Sequence, residues 1–132
     1  MRTPHDVFHL AIPTHDLDAA AAFYGALGCR VARRYVDRIT LDFFGDQVVC
    51  HLDPEACDPD PKMYPRHFGV TFRAAADYDA VLALARAKAL PFFKAPFTRF
   101  RGKREAHSSF MLRDPSNNLL EFKHYPDPEM MY

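Results

Sequence analysis

The chain contains 132 residues, 48% of them hydrophobic, which is enough for one domain with a sizeable core. Its 17 basic and 17 acidic side chains cancel, so the overall charge gives no reason to expect binding to nucleic acid or to an anionic membrane. No apolar run approaches the roughly 20 residues needed to cross a bilayer, and the opening MRTPHDVF lacks the apolar core of a signal peptide, which predicts a cytoplasmic protein.

The first half of the chain reads as a strand, a helix and three further strands. Residues 7–13 alternate large apolar residues on one face with His9 on the other, as expected of a strand. Asp16 supplies the N-cap chemistry for a helix that ends at Gly28. Three short strands are predicted to follow as a meander, at residues 30–35, 39–44 and 47–52.

The second half repeats that order after a proline-rich linker. Residues 53–65 contain four prolines, which predicts a segment without regular structure. A strand at residues 66–73 again presents a histidine, His67, on the face opposite its large apolar residues. A helix is predicted over residues 75–90. Three strands complete this half, at residues 92–101, at residues 106–113, and around Glu121. Pro96 indicates that the first of them is an edge strand or an interrupted strand.

The final strand follows a turn and carries a carboxylate. Residues 114–118, with the sequence DPSNN, predict the turn because proline fixes φ and because Asn and Asp tolerate positive φ. The two-residue period of a strand places Leu120 and Phe122 on one face and Glu121 on the other. Glu121 therefore faces either a cavity or, as half-exposed strand residues commonly do, the solvent.

The repeated order of strand, helix and three strands predicts an internal duplication. Aligning the two opening strands places His9 on His67, and aligning the two closing strands places His51 on Glu121. Two twisted sheets with a helix on each convex face would bring these strands together around a concave interior. Two imidazoles and one carboxylate there form a facial metal site with open positions for substrate and for water or dioxygen. Such donors suit Fe(II), Mn(II), Ni(II) or Zn(II).

Each candidate residue also has an ordinary structural interpretation. A lone strand histidine is more often a satisfied core or surface group than a ligand, which applies to His9 and to His67 taken singly. Their coincidence with Glu121 in a duplicated chain favours a metal site. His51 is either a fourth ligand, a nearby acid or base, or a passive cavity residue.

The three cysteines, Cys29, Cys50 and Cys57, argue against two classes of protein. Their odd number and the lack of close paired spacing are untypical of a disulfide scaffold or of a thiolate zinc site. Free thiols in a reducing compartment are therefore expected, with Cys50 in the core.

The segments HLAIPTHDLDAAAAFYGALG, RHFGVTF and DPSNNLLEF resemble the vicinal oxygen chelate superfamily, which includes glyoxalase I, bleomycin-resistance proteins, fosfomycin-resistance enzymes and extradiol dioxygenases. The resemblance covers essentially the whole chain. It implies an α+β fold with two βαβββ modules, about residues 5–53 and 66–125 with a linker at 54–65, forming a curved sheet around a metal-binding cleft in a single domain of residues 1–132.

The resemblance also implies site residues. His9, His67 and Glu121 match the positions of the family's two histidine ligands and one carboxylate ligand. His51 falls where glyoxalase I is expected to carry a glutamate ligand, and this departure argues against a strict glyoxalase I.

Three functions follow from these expectations. The first is an Fe(II) extradiol-dioxygenase-like enzyme that acts on a small substrate with vicinal oxygens, with His51 as the proton carrier. The second is a glyoxalase-type lyase or isomerase with Zn(II) or Ni(II), in which His51 completes the coordination. The third is a metal-free protein that sequesters a drug. The intact ligand triad counts against this third function.

Further expectations concern the cavity lining and the assembly. Exposed sheet edges predict a homodimer, with ligands from one chain or shared between two. The basic run from Arg99 to Arg104 is expected to be a solvent-facing turn rather than a patch that steers substrate. Side chains that suit a planar anionic substrate are Tyr35, Phe43, Phe97, Arg99 and His107. Each of them is equally consistent with ordinary packing in a strand or with a solvated charge on a hairpin.

Overall fold

A computed structural model describes all 132 residues and contains two βαβββ modules, which confirms the predicted fold class. Short 3-10 turns at Pro54–Ala56 and Pro128–Met131 were not predicted. The remaining elements are β1 (His9–Thr14), α1 (Leu17–Ala26), β2 (Arg30–Arg34), β3 (Arg38–Phe43), β4 (Asp46–Leu52), β5 (Phe68–Phe72), α2 (Ala75–Ala87), β6 (Phe92–Arg99), β7 (His107–Arg113) and β8 (Leu119–His124).

The chain divides into two compact units. The first unit contains Met1–Pro59 together with Pro115–Asn118, and the second contains Asp60–Asp114 together with Leu119–Tyr132. The boundary after Pro59 lies inside the proline-rich segment. No helix has both the length and the apolar character needed to span a lipid bilayer.

The two units have the same sheet topology. In the first, the strand order is β1-β4-β3-β2, with β1 parallel to β4 and the other pairs antiparallel. In the second, the order is β5-β8-β7-β6, with β5 parallel to β8. The structure thus confirms the duplication, and β6 is the edge strand that Pro96 predicted.

Helix α1 begins and ends as its sequence predicts. The Asp16 carboxylate accepts hydrogen bonds from the backbone N–H groups of Asp18 and Ala19, and these bonds lower the pKa of Asp16. The helix ends one turn before the β2 strand, where Gly28 has a φ of 96°. Helix α2 ends at Ala87, earlier than predicted, because Ala89 takes a left-handed φ of 50°.

The core of the first unit lies between α1 and its sheet. The ring of Tyr24 in α1 meets Phe43 in β3 edge to face, with 6.3 Å between centroids. Phe43 is therefore a core residue, which favours ordinary strand packing over its other interpretation, a place in the substrate cavity. Burial raises the pKa of the Cys29 thiol to about 12, and Cys50 is fully buried, so both behave as inert core residues.

The core of the second unit is aromatic. Phe110 in β7 and Phe122 in β8 are fully buried and stack at 5.2 Å between centroids, and Tyr78 of α2 packs on Phe110 at 5.4 Å. Because side chains alternate along β8, Leu120 and Phe122 face the helix and Glu121, between them, faces the opposite side.

Candidate metal site

The turn before β8 belongs to the first unit, and its side chains bond to other residues of that unit. Asn117 has a φ of 65°, which confirms the predicted left-handed turn residue. The Asn118 side-chain amide donates to the Pro13 carbonyl at 2.9 Å, and the Asn117 amide donates to the Asp58 carbonyl at 2.9 Å. The Ser116 hydroxyl is buried against Thr14, 2.9 Å away. These bonds fix the turn from which β8 starts.

Glu121 lies on the face of β8 away from α2 and is buried. It pairs with Gly69 of β5 on one side and with Met111 of β7 on the other, and only 7% of its surface is exposed. A carboxylate is rarely buried without a partner. The solvent-facing interpretation of Glu121 is therefore wrong, and partners for the buried carboxylate are expected.

The structure brings His67 and Glu121 together. His67 Nε2 lies 3.1 Å from Glu121 Oε2, and the Ser109 hydroxyl donates to Glu121 Oε1 at 2.7 Å. Two ligands at right angles around one ion, each about 2.1 Å from it, would be about 3 Å apart. The separation of the imidazole and the carboxylate therefore suits two neighbouring ligands of one ion.

The hydrogen bond at the other ring nitrogen determines how His67 can bind. Its Nδ1 lies 2.7 Å from the Met63 carbonyl oxygen, which can only accept, so Nδ1 carries a proton. In neutral His67 the lone pair of Nε2 then faces a carboxylate oxygen. Two acceptors at that distance require a shared cation, which is either a proton or a metal ion. A histidine oriented in this way is typical of metal sites.

Close contact between β5 and β8 supports this geometry. A Cβ atom on Gly69 would lie 1.7 Å from the Glu121 carbonyl oxygen, so only glycine fits between the two strands. His67 lies two residues before Gly69, directly ahead of β5, and the two-residue period places it on the same face. Gly69 therefore permits the close strand approach that sets the imidazole beside the carboxylate.

His9 has the same kind of support in the first unit. Its Nδ1 lies 2.6 Å from the Gln47 side-chain oxygen, across the parallel pairing of β1 with β4. An amide oxygen is an acceptor, so Nδ1 is the protonated nitrogen and Nε2 is the one available to a ligand. The His9 side chain is exposed.

The register corrects the expected equivalence of His51 and Glu121. His9 pairs with Gln47, and continuing the second register by one residue pairs His67 with Leu119. Glu121, two residues beyond Leu119, thus corresponds to Val49, two residues beyond Gln47. The sequence alignment of the closing strands is wrong by two residues, because period-two alternation cannot distinguish shifts by two.

His51 is exposed and pairs with Pro13 and Arg38. It shares a face with His9 but lies four residues further along β4 than Gln47, a separation of about 13 Å at the rise of a strand. This spacing along the sheet argues against a single ion bound by both His51 and His9.

Of the other residues considered for a cavity lining, Arg99 lies near His67, whereas Tyr35 and His107 pack against other side chains. Arg99 donates to the Tyr64 hydroxyl, and the Tyr64 ring meets His67 edge-on at 5.8 Å between centroids, so Arg99 lies near the site. Tyr35 is half-exposed beneath Arg38, and His107 is buried against Tyr125.

Arg101, Gly102 and Lys103 are exposed, as predicted for a solvent-facing turn. Arg104 pairs there with Asp127 and Glu129. The basic run therefore forms a surface feature, and Arg99 is linked to His67 through Tyr64.

A cavity of about 150 Å³ adjoins the His67 and Glu121 pair. Lys123 also lines it, with its ammonium 3.5 Å from Glu121 Oε2. The structure contains no group of three or more His, Cys, Asp or Glu side chains that could hold a metal ion, so the unit itself supplies two donors. The cavity lining comprises His67, Phe68, Gly69, Val70, Thr71, Glu121 and Lys123.

Sequence reasoning missed four groups that orient the site. Ser109 could not be separated from Ser108 without the β7 to β8 register, and the Met63 carbonyl carries no sequence signal. Gln47 likewise required the β1 to β4 register, whereas Lys123 did carry a signal, because two-residue spacing places it on the same face as Glu121.

Comparison with known proteins agrees with this architecture. The model of the Glyoxalase/Bleomycin resistance protein/Dioxygenase superfamily matches residues 6–122. A crystal structure of a glyoxalase/bleomycin resistance protein/dioxygenase from Alicyclobacillus acidocaldarius is 58% identical, covers 100% of both chains and has a TM-score of 0.96. The glyoxalase domain-containing protein RDO1 of Mycosarcoma maydis is 30% identical over 124 residues, 90% of this chain and 68% of that protein.

A more distant structure shares the fold alone. The lactoylglutathione lyase of Agrobacterium tumefaciens is 19% identical, with a TM-score of 0.67 over 93% of this chain and 96% of that one. The family match covers most of the chain and agrees with the paired modules described above. The chain therefore belongs to the Glyoxalase/Bleomycin resistance protein/Dioxygenase superfamily.

Proposed function

We propose that the protein is a metal-dependent enzyme in which His9, His67 and Glu121 bind one divalent ion. The contact between His67 Nε2 and Glu121 Oε2 at 3.1 Å is the observation that supports this most directly. His9 completes the set, either from the same chain or from a second copy in a homodimer. Its Nδ1 bond to Gln47 leaves the other ring nitrogen available.

The donor chemistry fits a catalytic metal ion. Two neutral imidazoles and one carboxylate leave coordination positions for substrate, and no thiolate lines the cavity. Fe(II) is the proposed metal, and Zn(II), Ni(II) or Mn(II) suit the same donors. Ser109 and the Met63 carbonyl hold the two second-unit ligands in place.

The proposed reaction is extradiol-type dioxygenation of a small substrate with vicinal oxygens. Fe(II) in such a site would supply redox chemistry with dioxygen and bind the two substrate oxygens. The chain would orient the ligands through Ser109 and Gln47 and move protons through His51, since histidine is the usual proton carrier near neutral pH. The cytoplasmic location stays a prediction.

The glyoxalase-type alternative assigns His51 as a fourth ligand. The separation of about 13 Å between the His9 and His51 positions in the first unit counts against this role. Drug sequestration without metal would leave the buried Glu121 and its hydrogen-bonded neighbours without a chemical role. Oxygen uptake and the effect of chelator on ligand binding separate both alternatives from the dioxygenase.

Oxygen consumption distinguishes these functions. Protein reconstituted anaerobically with Fe(II) is mixed with catechols, and dioxygen uptake is measured with an oxygen electrode. We expect uptake with at least one diol and its loss in His67→Ala, because that variant removes one of the proposed ligands. Lactoylglutathione formation without oxygen uptake by any diol would contradict the dioxygenase reaction. Ligand binding that is unchanged by chelator would contradict metal dependence.

A further inference from the structure

Lys123 lies in the cavity of the second unit and has no part in the proposed metal binding. It follows Glu121 by two residues on β8, so both side chains share the face away from α2. Only 28% of the Lys123 side chain is exposed. The ammonium is therefore partly shielded from water in a cavity that also contains a carboxylate, so the anion that it binds determines the role of Lys123.

Glu121 is an incomplete partner for this ammonium. The Lys123 Nζ is 3.5 Å from Glu121 Oε2, longer than the roughly 2.8 Å of a charge-assisted hydrogen bond. Ser109 and His67 already contact the two carboxylate oxygens. A divalent ion on Glu121 would neutralise that carboxylate and repel the ammonium, which leaves Lys123 without a counter-charge.

We infer that Lys123 binds a carboxylate on the substrate, so that the substrate is an anionic compound with vicinal oxygens. An ammonium has three N–H donors and can turn from Glu121 to an anion in the same cavity. Arg99, which contacts Tyr64 beside His67, adds a second positive charge near the site. This inference rests on the proposed metal site.

The test compares two probes of nearly equal size. Anaerobic calorimetry with the Fe(II)-loaded protein measures the binding of 3,4-dihydroxybenzoate and of neutral 3,4-dihydroxybenzamide. We expect wild-type protein to prefer the benzoate by roughly tenfold, the usual size of one charged hydrogen bond. Lys123→Met should reduce the preference to about one and retain at least as much metal, since a competing positive charge is gone.

Lys103→Met is the matched control. It makes the same change in charge on an exposed turn of the same unit and should leave the preference unchanged. An unchanged preference in Lys123→Met would overturn the role of Lys123 while the metal site stands. Wild-type protein that retains no metal would instead contradict the proposed function. Loss of metal in Lys123→Met would show that Lys123 supports the ligands and would overturn substrate recognition.

Discussion

Both candidate histidines are oriented through the ring nitrogen that does not face a ligand. His67 Nδ1 is bound to the Met63 carbonyl, and His9 Nδ1 is bound to the Gln47 side chain. Each bond fixes the tautomer in which Nε2 has a lone pair. An imidazole held in this way loses little side-chain freedom when it binds a metal ion. We therefore expect Gln47 to raise the affinity of the proposed site for metal although it does not contact the ion.

Gln47→Leu tests this orienting role. Leucine has a similar size but no acceptor for His9 Nδ1, so we expect the affinity for Mn(II) to fall roughly 10- to 100-fold, as for other outer partners of metal ligands. Affinity is measured by electron paramagnetic resonance of the free ion during titration. Gln47→Glu keeps an acceptor and serves as the control. Equal affinity in Gln47→Leu and wild type would show that Gln47 does not orient His9.

Among the elements, the pairing of β5 with β8 sets the geometry of the site. Their parallel register puts Gly69 opposite Glu121, and a Cβ at Gly69 would overlap the Glu121 carbonyl oxygen at 1.7 Å. The overlap is with backbone, which cannot rotate away, so any larger residue must move one strand relative to the other. The contact between His67 and Glu121 depends on that strand separation.

Gly69→Ala should therefore destabilise the protein and disturb the site. We expect the free energy of unfolding, measured by urea denaturation, to fall by about 1–3 kcal/mol, the usual cost of overpacking. Gly25→Ala is the control, because nothing lies within 4 Å of a Cβ added there and alanine favours the α1 helix. Stability equal to wild type in Gly69→Ala would contradict the close strand approach.

Local patterns predicted the elements and their faces but not the pairing between strands. Alternation placed Leu120 and Phe122 on the core side of β8 and Glu121 opposite, as the structure confirms. The same alternation is indifferent to a shift by two, so His51 was aligned with Glu121 when the paired register places Val49 there. The sequence left Phe43 open between core and cavity because its surroundings depend on packing against Tyr24.

At the scale of the whole molecule, the duplication has become unequal. Each unit keeps a histidine at the start of its sheet, with an acceptor for Nδ1. The second unit adds a buried carboxylate at Glu121, where the first has the buried, apolar Val49. At these equivalent positions, the second unit thus offers an imidazole and a carboxylate, while the first offers an imidazole alone. The proposed ion requires donors from both kinds of unit.

Metal content is the most direct test of this account. Wild-type protein, His9→Ala, Glu121→Gln and His51→Ala are purified without chelator, loaded anaerobically with Fe(II), desalted and analysed by mass spectrometry of the metal. Circular dichroism verifies the fold, and glutamine keeps an acceptor for Ser109. We predict about one ion per chain in wild type and in His51→Ala, and loss of the ion in the other two variants. Stoichiometric metal in both His9→Ala and Glu121→Gln would contradict the proposed site.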